Sequence, residues 1–218
     1  MINTTLFFAM EIMGTIAFSC SGAMTAIQKK LDLLGVIVLA VITAVGGGMS
    51  RDILIGNNPP ALFKNPVYVT VAVAAAIVMF LTVRSKRLSR IFIQVRHYER
   101  IMNFFDAVGL GVFTVVGVNT AVHSTHNQYF FLTIFLGVIT GVGGGLLRDI
   151  MVCEIPSILK EHIYACASLI GALIYALFLY INKPNIGILV SAAVIVLIRV
   201  LARHYDWNLP HGKPDILQ

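Results

Sequence analysis

A chain of 218 residues with 58% hydrophobic and only 12% charged side chains stands far from the roughly 25% charged residues of an ordinary soluble domain. Surface-to-volume scaling leaves a soluble fold of this size too little interior for so much apolar side chain, so the solvent for most of it is lipid. The net charge of +6 does not point to nucleic acid, because the basic residues fall mostly in the gaps between apolar runs, where membrane topology accounts for them.

A hydrocarbon core of ~30 Å takes about 20 apolar residues per helix. Seven segments qualify in chain order: Thr5 to Ile27, Leu34 to Ile55, Val67 to Val83, Asn103 to Val122, Tyr129 to Val152, Ile163 to Ile181 and Ile186 to Leu201. They predict an all-α transmembrane fold in a single membrane domain over residues 1–218. The first segment is expected to stay in the mature protein: Met1 to Thr5 offers no basic residue, and Glu11 would sit in the apolar centre of a signal peptide. Breakers follow the second segment (Asn57-Asn58-Pro59-Pro60) and the sixth (Asn182-Lys183-Pro184).

Seven spans put the termini on opposite sides. Lys29, Lys30, Arg84, Lys86, Arg87, Arg90, Arg96, Arg100, Lys160, Arg199, Arg203 and Lys213 fall on one side, against Lys64 and Lys183 on the other. By the positive-inside rule the crowded side is cytoplasmic, which places the N-terminus outside and the C-terminus inside. The stretch from Arg84 to Arg100 is read either as an interfacial helix gripping anionic lipid headgroups or as a device that only enforces topology.

An internal duplication stands out. Gly46-Gly47-Gly48-Met49-Ser50-Arg51-Asp52-Ile53 returns 97 residues later as Gly143-Gly144-Gly145-Leu146-Leu147-Arg148-Asp149-Ile150. Downstream, Pro59 meets Pro156 at the same displacement, and Tyr68 meets Tyr164 after a one-residue gap. Upstream, Glu11 meets Asp106, Gly14 meets Gly109, Phe18 meets Phe113 and Gly22 meets Gly117 at a displacement of 95. Each copy holds an odd number of spans, so the second enters the membrane from the opposite side. The expectation is two inverted three-helix repeats, about residues 5–84 and 101–182, with an extra helix over about 186–202. Polar sites of such folds form near the midplane between the repeats.

Gly46 lies ~18 Å into its span at 1.5 Å per residue. Three successive glycines cost roughly 1 kcal/mol each against alanine in a helix interior. The second and fifth spans are therefore expected to break at Gly46, Gly47, Gly48 and at Gly143, Gly144, Gly145, freeing carbonyls toward a water-filled route. The competing explanation is close helix packing; two symmetric triplets, each followed by a charged pair, favour the pathway.

Glu11, Arg51, Asp52, Asp106, Arg148 and Asp149 lie inside spans, where an unpaired charge costs several kcal/mol, so they are expected to serve function or a structural ion-pair network. Neighbouring helix residues point about 100° apart, so Arg51 and Asp52 are not expected to bridge each other. Depth instead pairs Glu11 with Arg51 toward the outside and Asp106 with Arg148 toward the inside. Four carboxylates against two guanidiniums leave a surplus of negative charge, which favours cations.

Other polar residues carry less. Cys20, Cys153 and Cys166 have neither disulfide nor metal-ligand spacing and read as small buried hydrophobes. His97, His123, His126, His162, His204 and His211 fall in loops or at span ends, with no metal spacing. The glycine triplets lack the Gly-Lys-Ser/Thr ending of a phosphate-binding loop, and no nucleophile has a base and an orienting partner, so an enzyme is not expected.

The duplicated Gly-Gly-Gly-x-x-Arg-Asp, the Phe18-x-x-x-Gly22 and Phe113-x-x-x-Gly117 stretches and the seven-span layout resemble the trimeric intracellular cation (TRIC) channel family. The likeness is nearest to its prokaryotic branch, whose repeat unit is known as a bacterial "glycine transporter" domain. The resemblance covers about residues 5–205 and implies a homotrimer in the inner membrane, each protomer with its own pore for monovalent cations, chiefly potassium. It implies no cofactor beyond the permeant potassium or sodium ion. Animal members carry a Lys-Glu-Val motif tied to inositol lipid; the glycine triplets stand in its place here, so that lipid regulation does not carry over. A secondary transporter of a small amino acid such as glycine would show the same repeats and is the alternative.

Overall fold

The computed structural model describes residues 4–84, 95–124, 129–160, 163–205 and 207, with the backbone alone for 95–97. The described residues form only helices: α1 Thr4–Gln28, α2 Leu33–Leu54, α3 Ala61–Lys64, α4 Val67–Arg84, α5 Val95–Val122, α6 Phe130–Met151, α7 Ser157–Lys160, α8 Tyr164–Tyr180 and α9 Pro184–His204. Six are long and apolar enough to cross a membrane, and α8 is a shorter apolar helix of 17 residues. At 1.5 Å per residue α8 spans ~26 Å, a few ångströms short of a ~30 Å hydrocarbon core. The seven apolar segments read from the sequence thus coincide with the seven long helices, except that α5 begins two turns earlier than Asn103.

Local chemistry sets the ends. Asp32 caps α2, its Oδ1 accepting the Gly35 N–H at 2.7 Å. Pro184 starts α9 at a position where no amide donor is needed. The chain leaves α2 through Gly56 (φ +72) and leaves α6 through Cys153 (φ 55), both in the left-handed region that closes a helix. In each case the next amide reaches back to the repeated aspartate's carbonyl, Asn57 to Asp52 and Glu154 to Asp149. Cys153 is therefore exposed rather than buried, and Cys166 is half-buried; Cys20 is the buried one.

Helices α1, α2 and α4 pack on one another, as do α5, α6 and α8, while α9 lies along α5 and α8. The two sets join through α1 against α5 and α2 against α6. At the joint, Phe18 stacks on Phe113 with ring centroids 5.4 Å apart. The side chains fit into glycine gaps reciprocally: a Cβ on Gly14 would collide with Val112 and Phe113, and one on Gly109 with Phe18. Large apolar side chains such as Leu173, Leu177, Leu189 and Leu197 are exposed on α8 and α9, as a lipid-facing surface requires.

The expected breaks at the glycine triplets are corrected. Both α2 and α6 run uninterrupted through Gly46–Gly48 and Gly143–Gly145. The glycines serve a crossing. A Cβ on Gly47 would strike the carbonyl of Thr140, one on Gly144 would strike the carbonyl of Thr43, and one on Gly143 would lie 3.0 Å from the Gly47 Cα. Missing side chains let two backbones touch, and the van der Waals attraction between them offsets the helix propensity lost.

Candidate functional site

The repeated Arg-Asp pair ends both α2 and α6, and each aspartate does the same two jobs. Asp52 Oδ2 accepts the Ala61 N–H at 2.7 Å, and Asp149 Oδ2 accepts the Ser157 N–H at 2.7 Å, so each carboxylate caps the short helix that follows. Asp52 Oδ1 accepts Arg51 Nε at 3.0 Å and Nη2 at 2.8 Å, and Asp149 Oδ1 accepts Arg148 Nε at 2.9 Å. Adjacent residues do bridge here, contrary to expectation, because a long guanidinium side chain folds back along its helix. The capping bonds also place Pro60, not Pro59, opposite Pro156, since these prolines precede α3 and α7.

Around these pairs stand two clusters, named inner and outer only after the sidedness expected from the sequence. In the inner one, Arg148 Nη1 donates to Asp106 Oδ1 at 2.6 Å and to Ser21 Oγ at 2.6 Å. The expected Asp106–Arg148 pair is present, with Asp149 as a second carboxylate. All three are about 4% exposed or less, and Tyr164 beside them is 1% exposed. The Tyr164 hydroxyl feels the charge of Asp106 but makes no hydrogen bond of normal geometry among the described residues. Gly145 leaves it room: a Cβ there would lie 2.7 Å from that hydroxyl.

The outer cluster is built from the matching positions and is arranged differently. Glu11 Oε2 accepts the Tyr68 hydroxyl at 2.6 Å, and Arg51 is committed to Asp52, so the expected Glu11–Arg51 contact is replaced by action at a distance. Among the described residues, the Glu11 carboxylate meets no cation at hydrogen-bond distance. It borders a cavity of about 70 Å³ shared with Thr15, Gly48, Arg51, Asp52 and Tyr68. That volume holds several waters, each needing about 10–15 Å³ of accessible space, or a partly hydrated monovalent ion.

Two kinds of residue are not legible as site residues in the sequence. Tyr68 and Tyr164 stand out there only as repeat markers, although both approach the carboxylate that begins each repeat. Arg199 falls among the topological charges, yet it is 5% exposed on α9 with its guanidinium 4.4 Å from the centre of the Tyr164 ring. Most of the basic stretch 84–100 lies outside the described residues, as do His126, His162 and His211.

These features define a class: a multi-pass membrane protein with charged clusters at both ends of a central helix crossing. The family model described as "Glycine transporter" matches residues 8–84 and 103–180. The chain is 36% identical over 207 residues to the UPF0126 inner membrane protein YadS of Escherichia coli K12, covering 94% of this chain and 95% of that one. A structure of a TRIC trimeric intracellular cation channel orthologue from Rhodobacter sphaeroides aligns with a TM-score of 0.83 at 29% identity, over 94% of this chain and 100% of that one. A prokaryotic TRIC channel aligns with a TM-score of 0.85 at 31% identity, over 95% and 100%. The chain belongs to the prokaryotic branch of the TRIC channel family, whose repeat carries the glycine transporter domain.

Proposed function

We propose that the protein is a cation channel of the cell's inner membrane, passing potassium or sodium through a route within each protomer. The carrying observation is Glu11, a carboxylate that meets no cation at hydrogen-bond distance among the described residues and borders a cavity with room for several waters. Buried acidic groups lining a route attract cations and repel anions. The route runs from the Glu11 cavity past Gly48, beside the crossing made by Gly46, Gly47, Gly143 and Gly144, to the cluster of Asp106, Arg148 and Asp149 below Gly145.

The reciprocal contacts of Gly47 with Thr140 and Gly144 with Thr43 support an inverted pair of three-helix repeats. The excess of basic residues at one face supports an outer N-terminus and a cytoplasmic C-terminus. Homotrimeric assembly and channel activity both follow the structural relatives, described as trimeric and as cation channels. Anionic lipid is the partner proposed for the basic stretch 84–100.

The test is purified protein in a planar bilayer. Unitary potassium currents are expected, and Glu11→Gln is expected to cut the current and weaken selection of potassium over chloride. Saturable, gradient-coupled glycine uptake without unitary current would falsify this reading and favour the transporter.

A further inference from the structure

Each aspartate of the repeated Arg-Asp pair caps a one-turn helix, α3 after α2 and α7 after α6. The two turns, Ala61-Leu62-Phe63-Lys64 and Ser157-Ile158-Leu159-Lys160, correspond residue for residue at the displacement that also relates Tyr68 to Tyr164. Both have an inner and an outer face. Leu62 lines the Glu11 cavity, and Ile158 packs on the buried cluster that contains Phe18 and Tyr164. The next residue faces out: Phe63 is 66% exposed and Leu159 70%. Lys64 and Lys160 follow, both exposed. The spans that lead into these turns end in the same way, with Ile53 and Leu54 closing α2 and Ile150 and Met151 closing α6, all more than half exposed.

We propose that α3 and α7 are interfacial anchors, each inserting its outward apolar residue at the boundary between the hydrocarbon and the headgroups of a lipid leaflet. Position supplies the depth, since each turn lies between the end of one apolar spanning helix and the start of the next. Composition supplies the chemistry: the Phe63 ring or the Leu159 side chain enters the acyl region while the lysine beside it reaches the headgroups. A second copy of the chain is the poorer occupant, because one side chain on a four-residue helix falls far short of the roughly 1,200 Å² that a specific protein interface buries. Leu62 and Phe63 are adjacent on a turn that Asp52 pins, so a Phe63 that follows the leaflet moves the wall of the Glu11 cavity. This coupling, unlike the anchors themselves, rests on the channel reading above.

The experiment places a tryptophan at each anchor, as Phe63→Trp and as Leu159→Trp, in full-length protein whose single native tryptophan is removed by Trp207→Phe. In phosphatidylcholine vesicles carrying nitroxide lipids labelled at set depths, each tryptophan is expected to emit at blue-shifted wavelengths and to be quenched most by the label at the top of the acyl chain. Water-like, unquenched emission overturns the anchor, and so does quenching that is greatest at the acyl-chain end. Blue-shifted emission that no labelled lipid quenches assigns the residue to a contact between copies and overturns it too. The native chain supplies a measurement that needs no substitution. A photoactivatable phospholipid, reactive at the top of its acyl chain, is expected to label residues 61–64 and 157–160, and absence of label at either turn overturns the anchor there. For the coupling, potassium flux is expected to differ at least about threefold between thin and thick bilayers and to lose that dependence in Phe63→Ser. Flux indifferent to thickness, or a dependence unchanged in Phe63→Ser, overturns the coupling but not the anchors; vesicles that do not conduct at all overturn the channel reading instead.

Discussion

Arg148 holds two carboxylates and a hydroxyl in a space closed to solvent. Its removal as Arg148→Gln leaves Asp106 and Asp149 buried without the guanidinium that pairs with both. At an effective dielectric of 20, each unit pair at ~4 Å is worth about 4 kcal/mol. Breaking a buried pair costs about 3–5 kcal/mol after relaxation. Asp106→Asn is milder, because Arg148 keeps Asp149 at 2.9 Å and Ser21 at 2.6 Å; the loss is one charged hydrogen bond, about 1.5–3 kcal/mol. Combining the two removes the stranded Asp106 charge, so the double variant is expected to cost less than the sum of the singles by about 0.5–3 kcal/mol. Reversible unfolding in mixed micelles, followed by helix content, measures all four proteins. Additive costs, or an Asp106→Asn more damaging than Arg148→Gln, would refute the view that this guanidinium neutralises two acids at once.

The crossing of α2 and α6 makes a graded prediction: Gly47→Ala and Gly144→Ala are each expected to cost about 1–3 kcal/mol, as backbone carbonyls must yield. Gly48→Ala, whose Cβ would meet nothing nearer than Arg51 Nη2 at 3.8 Å, is expected to be nearly neutral, and thermal stability in detergent ranks the three. At the outer cluster, Asp52→Asn frees Arg51 to turn to Glu11 and is expected to be tolerated, whereas Asp52→Asn with Glu11→Gln is expected to cost more than the sum of the two; an unfolding cycle reads the sign.

The sequence makes the spans plain because lipid demands uninterrupted apolar runs, and a duplicated Gly-Gly-Gly-x-x-Arg-Asp is visible without any knowledge of packing. Depth alone is enough to pair Asp106 with Arg148. Depth fails for Glu11 and Arg51, because side-chain reach decides that contact: Asp52 is at hand for the folded-back guanidinium, and Tyr68 lies within reach of the glutamate. The glycines mislead for a related reason. Helix propensity records the cost of three glycines, but not the partner backbone that uses the space, and the partner is 97 residues away in the chain. Arg199 is hidden by position, near the end of a span where a charge normally reaches the headgroups, and only tertiary packing puts it on the Tyr164 ring.

The two halves carry the same motif and hold it in different arrangements, and three residues account for the difference. The repeat sets Ser21 opposite Val116. Arg148 finds the Ser21 hydroxyl, whereas Val116, which lines the outer cavity, gives Arg51 nothing to donate to. The repeat also sets Glu11 against Asp106, and the extra methylene carries the glutamate to the Tyr68 hydroxyl, while the shorter acid remains with its arginine. The third asymmetry comes from outside the duplication. Helix α9 has no counterpart in the first half, and its Arg199 covers the face of Tyr164, whereas Tyr68 has Phe8 at 6.4 Å as its ring neighbour. Tyr164 thus sits between the Arg199 guanidinium on its ring and the charge of Asp106, an environment Tyr68 does not share. One end of the crossing therefore borders a cavity, while the other is filled by an ion-pair cluster of buried side chains.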